Sequence, residues 1–186
     1  KMGFKVITPP TEPVTLADAR LHLRVTDTSE DTLIASLTTA AREYCEHYLQ
    51  RSIGSQTLEL ALDEFPEGAI ELEHGPCISI TSIKYIDTAG VEQTLAGAAY
   101  TLDDYSHKSW AVRAYGTEWP DTLEAANVVK ARYVAGLAGT GTERAAMLLM
   151  LAQLYENREA TVIGVSSQEL PLGVKALLDT KRVWTL

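Results

Sequence analysis

The stretch Gly136-Leu-Ala-Gly-Thr-Gly-Thr-Glu-Arg-Ala-Ala-Met-Leu-Leu-Met-Leu-Ala-Gln-Leu-Tyr-Glu-Asn-Arg-Glu159 decides the fold. After a glycine-rich approach, residues 142–159 predict one long helix of roughly 27 Å at 1.5 Å per residue. Every residue from Ala145 to Ala152 is apolar, so the middle of the helix shows water no polar face and is expected to be buried on most sides. The apolar run stops at Gln153, well short of the roughly 20 residues that a bilayer requires. Burial of Leu148, Leu149, Leu151 and Leu154 at about 1.5 to 3 kcal/mol each would make this helix a leading contributor to a core.

Upstream, the helical period appears twice more. Thr15-Leu-Ala-Asp18 has the form of a capping box with Asp in the place of Glu or Gln, and Leu16, Ala19 and Leu23 give a short helix ending near Val25 one apolar face. Residues 30–50 then place Leu33, Ile34, Leu37, Ala40, Ala41, Tyr44, Cys45 and Tyr48 on a broad face, with Thr39, Arg42, Glu43 and Glu46 opposite. That apolar side is expected to pack on the long helix. Ahead of both helices, the prolines of residues 7–13 predict an extended arm or brace.

Between the helical parts the period changes to two. Leu58, Leu60 and Leu62 alternate within residues 56–62, and further strands are predicted at 69–73, 78–86, 91–95, 100–102, 110–114 and 128–134. Asp87-Thr-Ala-Gly90 supplies a hairpin turn between the third and fourth of these. Downstream of the long helix, residues 160–168 hold no helical period and read as a loop. A short helix follows at 174–178. The fold class is therefore α+β: a helical body of two N-terminal helices, a long buried helix and a short terminal helix, with an inserted antiparallel β subdomain. The expected division is 1–55 for the arm and first helices, 56–135 for the β subdomain and 136–186 for the rest of the body.

The net charge of -9 is concentrated in the middle of the 186-residue chain. Residues 1–55 carry six basic and seven acidic groups, residues 56–135 five and thirteen, and residues 136–186 five and five. A face that grips nucleic acid must be basic, because counterion release supplies most non-specific affinity; no such face is evident. No secretory leader is visible at the start, which predicts synthesis in the cytoplasm, and Lys1 before Met2 suggests a residue left by cloning. The two cysteines, Cys45 and Cys77, fall in different predicted elements and are read as free core thiols.

Each chemical motif has a plainer reading. The glycines of residues 136–141 stand where a phosphate-binding loop would, but Thr142 and Glu143 occupy the positions that need Lys and a hydroxyl. The favoured reading is a strand-to-helix connection in which Thr140 caps the helix and Glu143 reaches back to it. Glu43, Glu46 and His47 have metal-sharing spacing without a second ligand cluster, and Glu71, Glu73 and His74 beside Asp63, Glu64 and Glu67 match no Ca²⁺ loop. Solvated acidic faces are preferred in both cases. No catalytic constellation and no cofactor are predicted.

Three stretches together resemble a known family. Glu12-Pro-Val-Thr-Leu-Ala-Asp-Ala-Arg-Leu-His-Leu-Arg24, Asp31-Thr-Leu-Ile-Ala-Ser-Leu-Thr-Thr-Ala-Ala-Arg-Glu-Tyr44 and Leu154-Tyr-Glu-Asn-Arg-Glu159 are similar to the head-tail connector (adaptor, or head-completion) proteins of tailed double-stranded DNA phages. Trp119-Pro120 after Tyr115-Gly116, and Tyr133-Val-Ala-Gly136, fit the same pattern. The likeness lies in order and spacing rather than in chemistry, and the start of the long helix lacks the proline that family members often carry there.

The resemblance implies a structural virion protein, not an enzyme, located at the neck. It implies a ring, commonly of twelve copies, beneath the portal protein, extending the DNA channel and docking the next neck, stopper or tail-completion component. Double-stranded DNA would pass without sequence-specific binding, and no membrane would be involved. The acidic subdomain could line the channel. Expected partner contacts are Tyr155, Glu156, Asn157 and Arg158 at the end of the long helix, and Lys175, Lys181, Arg182 and Trp184 in the basic, aromatic tail; removal of residues 179–186 is expected to abolish attachment while sparing the fold. The competing readings are a small metal-dependent enzyme using the acidic patch around residues 71–74, and a regulatory binding module.

Overall fold

The computed structural model describes residues 2–106, 108–136, 141–157 and 172–182. The chain forms two compact units, one of Lys1–Pro10 with Ser55–Gly136 and one of Thr11–Gly54 with Leu137–Leu186.

The helical unit holds α1 (Leu16–Leu23), α2 (Asp31–Leu49), α3 (Gly141–Glu156) and α4 (Leu172–Asp179). The capping box at α1 forms as the sequence predicts: the Asp18 backbone N–H donates to Thr15 Oγ1 at 3.2 Å, and the Thr15 N–H donates to Asp18 Oδ2 at 3.3 Å. Arg24 ends the helix in the left-handed region at φ 59°. Along α2, Ile34, Ala41, Cys45 and Leu49 are buried at helical spacing, and they share one core with Ala146, Met147, Met150 and Leu151 of α3 and Val174 and Leu178 of α4. The N-terminal helices thus pack on α3, as their apolar face requires.

Two details differ from the expectation. Within α3 the buried residues make a stripe, and Leu149 is 42% exposed; among the described residues the neighbours of α3 are α1, α2 and α4. On α2, Ala40 and Tyr44 face solvent, whereas Arg42, expected on the polar face, is buried. The predicted loop at 160–168 and the Thr140 cap lie outside the described residues.

The β unit contains β1 (Met2–Thr8), β2 (Gln56–Leu62), β3 (Ile70–Leu72), β4 (Cys77–Ile86), β5 (Glu92–Thr94), β6 (Tyr100–Asp103), β7 (Ser109–Arg113) and β8 (Val129–Ala135). A five-stranded sheet runs in the order β1-β2-β8-β4-β5 and a three-stranded sheet in the order β3-β7-β6, with every pairing antiparallel. All seven strands predicted between residues 56 and 135 form, including the β4–β5 hairpin. Residues of both sheets fill one core, among them Leu58, Leu60, Ile70, Leu72, Ile83 and Tyr133. The buried Tyr133 hydroxyl donates to the Glu73 carbonyl at 2.6 Å, which satisfies the one polar atom that the ring brings inside.

The first strand was not expected. Residues assigned with the helical body instead pair with β2, Phe4 opposite Leu60 and Val6 opposite Leu58. The edge position explains the miss: β1 leaves Phe4 46% and Val6 49% exposed, so it shows no clean alternation of buried and polar residues.

Candidate functional site

One cluster of charged side chains in the helical unit gathers around Arg42. Arg42, whose side chain is 5% exposed, contacts Glu12 at 3.1 Å, Glu43 at 3.5 Å and Glu46 at 2.5 Å. Burial opposes its charge, but Glu46 and Glu12 outweigh that cost and hold the guanidinium above its ordinary value. The other oxygen of Glu46 accepts the backbone N–H groups of Ile53 at 2.7 Å and Gly54 at 3.1 Å. Thr39 Oγ1 adds a 2.9 Å hydrogen bond to Glu12. The network therefore ties together two places where the chain enters or leaves this unit, next to Thr11 and at Gly54.

This arrangement answers the metal question on α2. Glu46 faces Arg42 and the backbone instead of His47, which is exposed. In the β unit, Glu71 pairs with Lys108 at 2.7 Å, Asp63 accepts the Asn127 N–H at 2.9 Å, and the His74 ring lies 4.2 Å from that of Phe4. Beside them a cleft of about 530 Å³ is lined by Leu62, Asp63, Glu64, Pro66, Ile70 and Trp110. Among the described residues no group of three or more His, Cys, Asp or Glu side chains is placed to hold a metal ion, and no helix is long and apolar enough to cross a membrane. Both cysteines are free and buried; burial pushes the Cys45 thiol up to about 12 and Cys77 up to about 11.

At the glycine-rich approach, the Gly136 N–H donates to the Pro76 carbonyl at 3.1 Å, and residues 137–140 lie outside the described part. Glu143 is 1% exposed, and its carboxylate has no hydrogen-bond partner among the described residues. Its charge acts on the buried Arg51, whose own value burial lowers. A buried carboxylate at this position opposes phosphate.

The expected partner contacts occupy two helix ends. Tyr155 is half-buried against the helical core and its hydroxyl donates to Glu30, while Glu156 and Asn157 are exposed. Lys175 is exposed on α4. At the end of α4 and just after it the chain packs on the end of α2 and the residues that follow it: the Tyr48 hydroxyl donates to Asp179 at 2.5 Å, Arg51 Nη1 donates to the Lys181 carbonyl at 3.2 Å, and the Arg182 guanidinium sits 4.5 Å from the centroid of the Tyr48 ring. Arg158 and Trp184 lie outside the described residues. Periodicity had put Arg42 with the solvated side chains and hid the exposure of Leu149; the Glu at i+4 from Arg42 was the available signal for the first.

A helical unit interrupted by a two-sheet β unit defines the class as α+β. The chain matches the family model of phage gp6-like head-tail connector proteins over residues 13–109, and it belongs to that family. Among solved structures it is similar to a chain of the virion of a native gene transfer agent particle, with 24% identity, 98% of this chain and 96% of that chain covered, and a TM-score of 0.81. It is likewise similar to a chain of the neck of an empty gene transfer agent particle computed with C6 symmetry, with 24% identity, 99% and 97% covered, and a TM-score of 0.81. A chain of the neck of the native particle computed with C12 symmetry gives 23% identity, 99% and 97% covered, and a TM-score of 0.74. At these identities the likeness is one of fold. No curated protein matches the chain.

Proposed function

We propose that this protein is a structural component of a virion neck, a connector that assembles as a ring of about twelve copies beneath the portal protein, extends the DNA channel and docks the next neck or tail component. The observation that carries the reading is the family match over residues 13–109. The same fold in chains from necks computed with C6 and C12 symmetry supports the ring. Closed rings are built from heterologous contacts, in which one patch of a subunit meets a different patch of the next.

The charge distribution fits a conduit. A unit carrying thirteen acidic and five basic groups between residues 56 and 135 repels phosphate, so DNA passing along it would slide without sticking. On this reading the portal contact uses the end of α3 at Tyr155, Glu156, Asn157 and Arg158, together with Lys175, Lys181, Arg182 and Trp184. Co-sedimentation of the purified chain with its portal protein tests the proposal: the chain is expected to travel with the portal in a fixed ratio, and its staying wholly in the free fraction would refute it.

A further inference from the structure

Among the described residues of the helical unit, apolar rows lie open on two different helices. On α1 the row is Ala17 and Leu21, both exposed and Leu21 by 79%, followed by the exposed Arg24 at the helix end. On α3 it is Leu149, 42% exposed, and the half-buried Ala152, followed by the exposed Glu156. Leu172 of α4, 83% exposed, widens the second row; a Cβ on its neighbour Gly173 would lie 3.8 Å from the Leu149 side chain. Open leucines on adjoining helices of one small unit mark an interaction surface.

We infer that these rows are the two halves of the contact between neighbouring copies: α1 of one copy lies along α3 of the next. The inference rests on the ring proposed above and names the faces that build it. Ala17 and Leu149 each stand seven residues before a charge, so both rows are about 10 Å long. Laid side by side in parallel, they put Ala17 opposite Leu149 and Leu21 opposite Ala152, large against small both times, and bring Arg24 beside Glu156, which then faces the neighbouring copy and leaves Tyr155, Asn157 and Arg158 of the end of α3 to the portal. Interdigitation of that kind is how helices pack. The charges match as well, for neither Arg24 nor Glu156 has an ion-pair partner among the described residues. Because the rows differ, each copy offers one half to each neighbour, as a heterologous ring requires.

The test uses two full-length single variants, A17C and L149C, mixed under a glutathione redox buffer. Both sites are at the surface, and the native thiols are buried. A disulfide dimer is expected from the mixture and from neither variant alone. Adding R24E to the first variant should lower the yield about fivefold, and adding E156R to the second should restore it. A parallel amine cross-linking ladder of the wild type reports ring assembly without regard to face. A ladder without the mixed dimer overturns the assigned faces, as does a dimer from L149C alone. A mixed dimer that never extends to a ladder supports the faces and overturns the ring.

Discussion

The guanidinium of Arg182 rests over the ring of Tyr48, 4.5 Å from its centroid, while the Tyr48 hydroxyl is engaged by Asp179. The first residues after α4 are thus part of the helical unit's own packing. A truncation that begins at residue 179 therefore removes packing contacts of the unit itself as well as the proposed partner residues Lys181 and Arg182. Removal of residues 183–186 leaves these contacts in place and serves as the reference. Removal of residues 179–186 deletes the side-chain hydrogen bonds of Tyr48 to Asp179 and of Thr180 to the Leu177 carbonyl, the Lys181 carbonyl that accepts from Arg51, and the cation–ring contact, and should cost about 2 kcal/mol. Equal midpoints for the two truncations would show that these contacts contribute nothing.

Arg42 is the most heavily engaged cation of the helical unit, with three carboxylates within 3.5 Å. Replacing it with Met keeps the aliphatic bulk but strands Glu12 and Glu46. Breaking a buried pair from one side costs about 3 kcal/mol, and R42M should lower the free energy of unfolding by about that amount. A loss under about 0.5 kcal/mol would mean that the network is solvated in solution.

Glu59 crosses three strands, facing Lys5 of β1 and Arg132 of β8 in register, at 3.1 Å and 2.6 Å. Burial works against its charge, but Arg132 and Lys5 prevail and hold the carboxyl below its ordinary value. A lowered folded value means that the stabilisation is complete above the unfolded value of about 4.3 and fades as pH falls through the folded one. E59Q should therefore destabilise at pH 6 by about 1 kcal/mol and much less at pH 3. Paired urea titrations at the two pH values check this, and a gap independent of pH would contradict it.

Cys45 and Cys77 are buried, and burial raises both thiols, to about 12 and about 11. The thiolate is the reactive form, so neither should be alkylated by iodoacetamide at pH 8 in the native protein, whereas both should react in urea. Mass spectrometry counts the adducts. Rapid native labelling at Cys45 would show that the α2–α3 core opens readily.

Much of this architecture could be read from the chain because its signals are local. Thr15 and Asp18 are three residues apart, so a capping box is visible without any tertiary knowledge, and the change from helical spacing to alternation at Gln56 marks the β unit. What escaped is decided at a distance. Strand β1 owes its existence to β2, some fifty residues downstream, and its exposed Phe4 and Val6 carry no pattern of their own. Arg42 is buried because Glu12 reaches it from across the unit. The exposure of Leu149 depends on which faces of α3 are covered by α1, α2 and α4, which periodicity does not encode. For the candidate surfaces, sequence pointed to terminal basic and aromatic residues; that Lys181 and Arg182 also contact Arg51 and Tyr48 of their own unit depends on residues about 130 positions upstream and was not legible.

The proposed ring on a portal is open to electron microscopy of the full-length protein mixed with its portal protein, with averaging that imposes no symmetry. A rotationally symmetric ring of about twelve copies is expected, seated on one end of the portal and coaxial with its channel. Portal particles bare at both ends in the presence of excess protein would contradict it.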